Sequence, residues 1–425
     1  MEKQKNIPAL HFPEFKSEWK EKKYEDIFSF RVTNSFSREN LNYDTGSVKN
    51  IHYGDIHTKF HTLFDITKEL VPFINPEIDI KRIAEENYCK EGDLLIADAS
   101  EDYNDVGKCV EIVNLNGERV LAGLHTILAR PDLYKMAIGF NGYLMQTENI
   151  RLQIKTLAHG SKVLSISTKA LGGIDLVIPD IPEQQKIASF LTSIDERLQA
   201  LKKKKSLLER FKKGIMQKIF SQELRFKDEK GKEFSKWEEK RLGEIAKLQA
   251  GFAFKSELFK KEGTPVIRIS NISNNNNYID FENIVYYDEI PNAENFTIRS
   301  GDLIIAMSGA TTGKASIYNL DFNSYLNQRV GLFKSRTNQL NYSYLVQFVF
   351  SEEFKKQLDA ILVAGAQPNV SSTDIETLAI QFPCLAEQNK IANFLSAIDE
   401  KITYCMTEIE KTEQYKKGLL QQMFC

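Results

Sequence analysis

Cysteine is scarce and unpatterned in this chain. The five cysteines among 425 residues (Cys89, Cys109, Cys384, Cys405 and Cys425) are odd in number and include no Cys-x-x-Cys pair. That argues against a disulfide framework and a zinc ribbon and fits a reducing, cytoplasmic setting. Long apolar runs are also missing. Nowhere do 18 apolar residues run together, and the opening Met1 to Asn6 has no apolar stretch behind it, so neither a membrane span nor a signal peptide is expected. Excess positive charge is absent as well: the net charge is -2 and the pI about 6.4. Bulk electrostatics therefore give no nucleic-acid footprint, and any such role needs local basic surface or basic partners. Core-forming residues are plentiful. With 42% hydrophobic and 11% aromatic residues, folded domains are expected rather than disorder.

The chain contains most of its own architecture twice. Glu183 to Glu196 (EQQKIASFLTSIDE) recurs as Glu387 to Glu400 (EQNKIANFLSAIDE), and without a gap Phe211-Lys-Lys-Gly214 to Phe220 matches Tyr415-Lys-Lys-Gly418 to Phe424. Trp19, Lys22, Lys23 and Ile27 align with Trp237, Lys240, Arg241 and Ile245, and Gly92-Asp-Leu-Leu-Ile-Ala97 echoes Gly301-Asp-Leu-Ile-Ile-Ala306. Most intervening sequence does not match. A period near two hundred residues is too long for a solenoid unit and marks a duplicated domain plus helix. The boundaries follow: domain 1 over 1–182, helix over 183–222, domain 2 over 223–386, helix over 387–425.

Both helices carry a heptad seam: Ile187, Leu191, Ile194, Leu198, Leu201, Leu208, Ile215 and Ile219 in the first, Ile391, Leu395, Ile398, Ile402, Cys405, Ile409, Leu419 and Met423 in the second. Pro182 marks a helix start. At 1.5 Å per residue, about 38 residues span roughly 57 Å, or about 16 base pairs of B-DNA. A seam needs a partner, and the nearest is the tethered second copy. The expected class is α+β: two mixed domains separated by two long antiparallel helices, a coiled-coil spacer. The linker from Leu224 to Trp237 resembles the opening from Ile7 to Trp19, which makes the arrangement circular and pseudo-two-fold.

These residues closely resemble the DNA specificity subunits of type I restriction-modification enzymes. The resemblance rests on the helix openings Ile181-Pro-Glu-Gln-Gln-Lys-Ile187 and Leu385-Ala-Glu-Gln-Asn-Lys-Ile391, the Lys-Lys-Gly helix ends and the Trp-led domain starts, and it covers essentially the whole chain. Ala386 departs from the pattern where the first copy has Pro182. The resemblance implies two target recognition domains that each read one half of an interrupted double-stranded DNA site. It also implies helices that dock two adenine-N6 methyltransferase subunits, with restriction subunits in the full complex. S-adenosylmethionine and ATP would sit on the partners, so this chain is expected to hold no cofactor. Unlike domains imply an asymmetric target.

Candidate readers are polar side chains in loops. In domain 1 they are Lys49, His52, Tyr53 and Asp55, with Ser100, Tyr103 and Lys108 in the acidic segment Ala97 to Lys108. Asp98, Glu101, Asp102 and Asp105 repel phosphates, although a carboxylate can accept from cytosine N4; the segment reads equally as a contact loop or a structural turn. His125 reads equally as a core residue or a contact. In domain 2 they are Arg268, Asn271, Ser308, Thr311, Thr312, Lys314, Asn327, Gln328, Arg329, Gln367 and Asn369. Asn and Gln suit adenine, and Arg suits guanine. The run Asn274 to Asn277 suits a solvated hairpin tip.

Other signals are weaker. Met307 to Lys314 looks like a phosphate loop, but only three residues separate Gly309 from Gly313 and Ala315 follows Lys314, against four and a Ser or Thr in a P-loop. His52, His57 and His61 suggest a metal cluster, yet only His57 and His61 have helical spacing, and no metal is expected. The Asp/Asn-Pro-Pro-aromatic motif of adenine methyltransferases is absent, Asn75-Pro-Glu77 being the nearest approach, so no catalysis by this chain is expected. Lys202 to Lys205 with Arg210, Lys212 and Lys213 reads as a solvated helix face, or one turned to the DNA spacer or an acidic partner. The rival functions are a coiled-coil scaffold, a nucleotide hydrolase and a stand-alone repressor.

Overall fold

The two Gly-Asp-Leu motifs become central strands, Leu94–Ala97 and Leu303–Ala306, buried along their whole length. Alternation sends Leu94 and Ile96 to one core and Leu95 and Ala97 to another. Leu303 and Ile305 part from Ile304 and Ala306 in the same way. Each strand is entered through a left-handed glycine, Gly92 at φ 93° and Gly301 at φ 92°. The next residue closes the turn: Asp93 Oδ2 accepts from Lys90 N and Asp302 Oδ2 from Arg299 N, both at 2.7 Å. The motif recurs because it solves a folding problem, a tight entry into a strand covered on both faces.

The computed structural model describes residues 6–272, 277–364 and 369–425. It divides into two compact units, Met1–Lys202 with Thr407–Cys425, and Lys203–Met406. In the first, a five-stranded sheet runs in the order Phe28–Arg31, Thr126–Pro131, Leu94–Ala97, Cys109–Asn114, Leu63–Asp65. A second sheet pairs Lys49–Ile51 in parallel with Val120–Ala122. In the second unit, Ala246–Ala250, Val330–Ser335, Leu303–Ala306 and Ala315–Ile317 form the matching antiparallel sheet. There Thr264–Ile267 pairs in parallel with Ser324–Leu326. Each domain also ties its opening to its end: Lys20–Lys23 pairs with Asp175–Ile178, and Glu238–Arg241 with Ala379–Phe382.

The long helices span Ile181–Phe220 and Leu385–Gln422, 40 and 38 residues. Within the first unit, Ile187, Leu191 and Ile194 share a core with Leu419, Met423 and Phe424, so the two helical halves run antiparallel. Within the second, Met216, Ile219 and Phe220 share one with Ile391, Leu395 and Ile398. The seam thus has a partner in each unit, while Leu198, Leu201 and Leu208 are only half-buried.

Each unit closes its helix pair with the same ion pair. Lys416 Nζ meets Asp195 at 2.7 Å in the first, and Lys212 Nζ meets Asp399 at 2.6 Å in the second. Asp399 lies 204 positions after Asp195, as Lys416 does after Lys212. Lys212 is therefore not part of a solvated face; its side chain is 9% exposed, because the seam turns it inward onto the carboxylate. Its neighbours do stay outside, with Lys202 paired to Glu413, Lys205 to Glu209 and Lys213 to Glu352.

The helix openings are anchored by the glutamine of each Glu-Gln pair. Gln184 Oε1 accepts from Ala137 N at 2.8 Å while its amide donates to the carbonyls of Lys135 and Pro179. Gln388 does the same with Asn341 N, Gln339 O and Pro383 O. The helix ends repeat too: Leu10 N donates to Gln422 O and Leu224 N to Lys218 O, both within their own unit. The chain's opening segment caps the second helix as the linker caps the first, which is the circular relation expected from the sequence.

Candidate nucleic-acid interface

The loop after each central strand differs in length and composition between the domains, yet its backbone frame is the same. In domain 1, Asp98 N donates to His125 O, and Ile166 N donates to Asp98 O. In domain 2, Met307 N donates to Arg329 O, and Val370 N donates to Met307 O. The loops close alike. Ala97 N and Ala306 N reach the carbonyls of Lys108 and Lys314, and Gly107 N and Gly313 N reach those of Ala97 and Ala306. Gly107 and Gly313 hold φ of 67° and 82°. A Cβ on either would lie 2.7 Å from a helix side chain, Ile154 or Leu358, so the Gly-Lys ending is demanded by close packing as well as by the turn.

The neighbouring segment matches as well. Strand Lys49–Ile51 leads to His52, whose Nδ1 accepts from Gly54 N at 3.2 Å and caps the short helix Tyr53–Thr58. Burial, with the Arg38 guanidinium close by, holds His52 below its usual pKa, in keeping with an accepting ring. Strand Thr264–Ile267 leads to Arg268, which caps the turn Ile269–Asn271. The short helix and the turn are each tied to the loop: His57 Nε2 lies 3.1 Å from Ala99 O, and Thr311 Oγ1 donates to Ile269 O at 3.1 Å. One rim in each domain therefore gathers the short helix, the loop and the residue before the long strand, His125 or Arg329.

The candidate readers divide by what already occupies them. Asp55 is fully buried and taken up by Arg38 at 2.7 and 2.9 Å and by Lys59 at 2.9 Å. Lys49 pairs with Glu118. Asn271 is buried, accepting from Arg268 N and donating to the carbonyls of Asp280 and Glu282. Ser100 is buried and accepts from Asp102 N. Arg268 donates to Asn283 O and lies over Phe259. These five serve the local fold. Outward-facing are Tyr103, half exposed beside Lys155, and Lys314, Gln328, Arg329 and Asn369, with Tyr53, Lys108, Ser308, Thr311, Thr312 and Asn327 half-buried at the rim. Lys108 Nζ donates to His57 O at 2.7 Å, and Thr312 Oγ1 to Gly309 O at 2.6 Å. Gln367 and residues 274–276 lie outside the described residues.

The acidic loop of domain 1 is a turn held through its backbone and Asn104. Arg151 donates to the carbonyls of Asn104 and Val106, Lys155 to Asn104 Oδ1, and Asp105 faces Lys108 at 3.7 Å. The three clustered histidines have separate attachments: His52 caps a helix, His57 meets Ala99 O, and His61 Nδ1 meets Glu69 at 2.6 Å. The Met307 to Lys314 loop joins two antiparallel strands, Leu303 opposite Ile317. A phosphate loop of the P-loop kind needs a helix N-terminus after its lysine, and here a strand follows.

The sequence matches the family described as Type I restriction modification DNA specificity domain over residues 16–210 and again over 234–414. This chain belongs to that family. Among its relatives, the specificity subunit of the type I restriction enzyme MjaVIII of Methanocaldococcus jannaschii is 27% identical over 63% of this chain and 65% of its own length. The chain thus spans just under two thirds of that relative. The putative MjaX specificity subunit of the same organism is 24% identical over 98% of this chain and 95% of its own length. The crystal structure of the type I restriction-modification S subunit from M. genitalium matches 99% of both chains at a TM-score of 0.62 and 14% identity. The fold is that of a type I specificity subunit: two DNA specificity domains, each followed by a long helix.

Two features of the specificity subunit escaped sequence reasoning. The ion pairs Asp195–Lys416 and Lys212–Asp399 were signalled by the recurrence of Ile-Asp-Glu and Lys-Lys-Gly, but a lysine run reads as solvated until its partner is known. The matched rim positions gave almost no signal, since only Gly-Lys is shared between the loops.

Proposed function

We propose that this chain is a non-catalytic specificity subunit that reads an asymmetric, interrupted double-stranded DNA site and positions two adenine-N6 methyltransferase subunits, with restriction subunits in the larger complex. The observation that carries the reading is one backbone frame built twice with different side chains on its rim, in a chain that matches the family in both halves. Identical frames with unlike rims are what two half-sites of different sequence require. Double-stranded DNA is the ligand, and a net charge of -2 gives little counterion release, so tight binding draws on basic partner subunits.

The helices supply matched outer positions for those partners. Phe211 and Tyr415, 204 positions apart, are 51% and 56% exposed, and apolar rings left outside a core suit a protein interface. S-adenosylmethionine and ATP belong to the partners under this reading, as does extrusion of the target adenine. No helix among the described residues is long and apolar enough to cross a membrane, and we place the subunit in the cytoplasm with its partners and DNA.

The test is to map N6-methyladenine genome-wide in cells carrying the cognate methyltransferase, with and without this chain. An interrupted asymmetric motif that appears only with the chain supports the reading. An unchanged methylome while the chain co-purifies with the methyltransferase refutes it and favours a scaffold.

A further inference from the structure

We propose that His125 and Arg329 are the equivalent specificity-determining positions of the two domains, each reading one base pair of its own half-site; the inference rests on the DNA-reading role proposed above. Sequence alone links them poorly. The link is geometric: each residue's carbonyl accepts from the first loop residue after the central strand, Asp98 N at 3.1 Å and Met307 N at 2.9 Å. Each immediately precedes the strand that pairs with that central strand. The registers agree, with Thr126 opposite Ala97 and Val330 opposite Ala306. Both side chains are exposed, on a rim where Asp55, Lys49, Asn271, Ser100 and Arg268 are committed to the fold.

Their chemistry differs in a way that suits different bases. The Arg329 guanidinium has no ion-pair or hydrogen-bond partner among the described residues, and a guanidinium offers donors only, matching guanine O6 and N7 in the major groove. His125 is held. Its Nδ1 lies 3.2 Å from Asp98 Oδ1, and Tyr53 packs edge-on at 5.3 Å between ring centroids. A carboxylate only accepts, so Nδ1 carries the proton and Nε2 is the free atom. With Nδ1 donating to Asp98, Nε2 is the nitrogen left to accept, which matches the exocyclic amines of adenine or cytosine and not the guanine edge. Asp98 is accordingly a positioning residue: it fixes which nitrogen meets the DNA. His57 and His52 lie beyond Tyr53, at 6.0 and 4.6 Å between ring centroids, and complete the aromatic group behind it.

The test uses the full chain with its methyltransferase partner and reads the methylated motif of each variant. His125 sits at φ 54°, so H125G removes the ring without backbone strain. It is expected to relax one position of one half-site, losing about tenfold or more in discrimination there, and to leave the other half-site intact. H125R is expected to shift that position toward guanine, and D98A to relax the same position as H125G. R329A is expected to relax one position in the opposite half-site only. A wild-type motif from H125G at full methylation overturns the assignment. So does uniform loss at both half-sites in H125G, H125R and D98A while the complex still assembles. A wild-type chain that directs no motif refutes the DNA-reading role itself, which separates the two failures.

Discussion

Asp55 shows how a polar residue beside a candidate interface is spent on the fold. Burial alone raises its carboxyl pKa, but the hydrogen-bonded Arg38 guanidinium and Lys59 ammonium outweigh burial and hold it below the usual carboxylate range. The native state therefore binds fewer protons than the unfolded chain near pH 4. That contribution is fully present above the unfolded value of about 3.9 and is lost as pH falls through the lowered one. R38A leaves the buried carboxylate with Lys59 alone and is expected to cost about 2 to 3 kcal/mol in urea unfolding at neutral pH. The cost should shrink as pH drops below about 4. A neutral result would mean that the pair does not organise this rim. Lys49, Asn271 and Ser100 belong with Asp55: side-chain type and loop position nominated them, but their hydrogen bonds close locally.

At the scale of elements, the two long helices are fastened by contacts that repeat 204 positions apart, and the two copies differ in one partner of the helix-opening glutamate. Glu387 is buried and accepts from Trp237 Nε1 at 2.8 Å and from Arg225 Nε and Nη2. Its counterpart Glu183 also faces a tryptophan, Trp19, but has His11 in place of the arginine, and burial raises its pKa. E387A, which strands Arg225 and the indole, is expected to destabilise the second unit by about 3 kcal/mol, and E183A the first by clearly less; equal losses would deny the arginine's role. A similar comparison tests the ion pairs. K212A and K416A should each cost about 1 to 3 kcal/mol, whereas K213A, exposed against Glu352, should stay within about 0.5 kcal/mol; chemical unfolding of the three variants decides. The helices were readable in the sequence because a heptad seam and a long gapless repeat are strong signals. Their fastenings were not, since Lys212 among six other basic residues carries no mark of burial.

At the scale of the whole molecule, the chain is one design used twice, and the sequence showed this wherever packing constrained it: the strand motif, the helix openings, the domain starts. It hid the correspondence where only backbone hydrogen bonds are kept. Loop 98–108 has eleven residues and loop 307–314 eight, so no side-chain pattern aligns them, and His125 is matched to Arg329 only through its carbonyl, which accepts from the first loop residue as that of Arg329 does. The hairpin at Gly309 to Lys314 lacks the helix N-terminus that a P-loop uses to hold phosphate. No shift in melting temperature on adding ATP and magnesium to the isolated chain is expected, and a saturable shift would reopen the nucleotide-hydrolase reading. The central claim is that each domain reads its own half-site, and exchanging residues 223–386 for the matching domain of another family member, followed by N6-methyladenine mapping, tests it most directly. The account predicts a motif in which one half is replaced and the other is retained. An unchanged motif, or a change in both halves from a complex that still assembles, would contradict it.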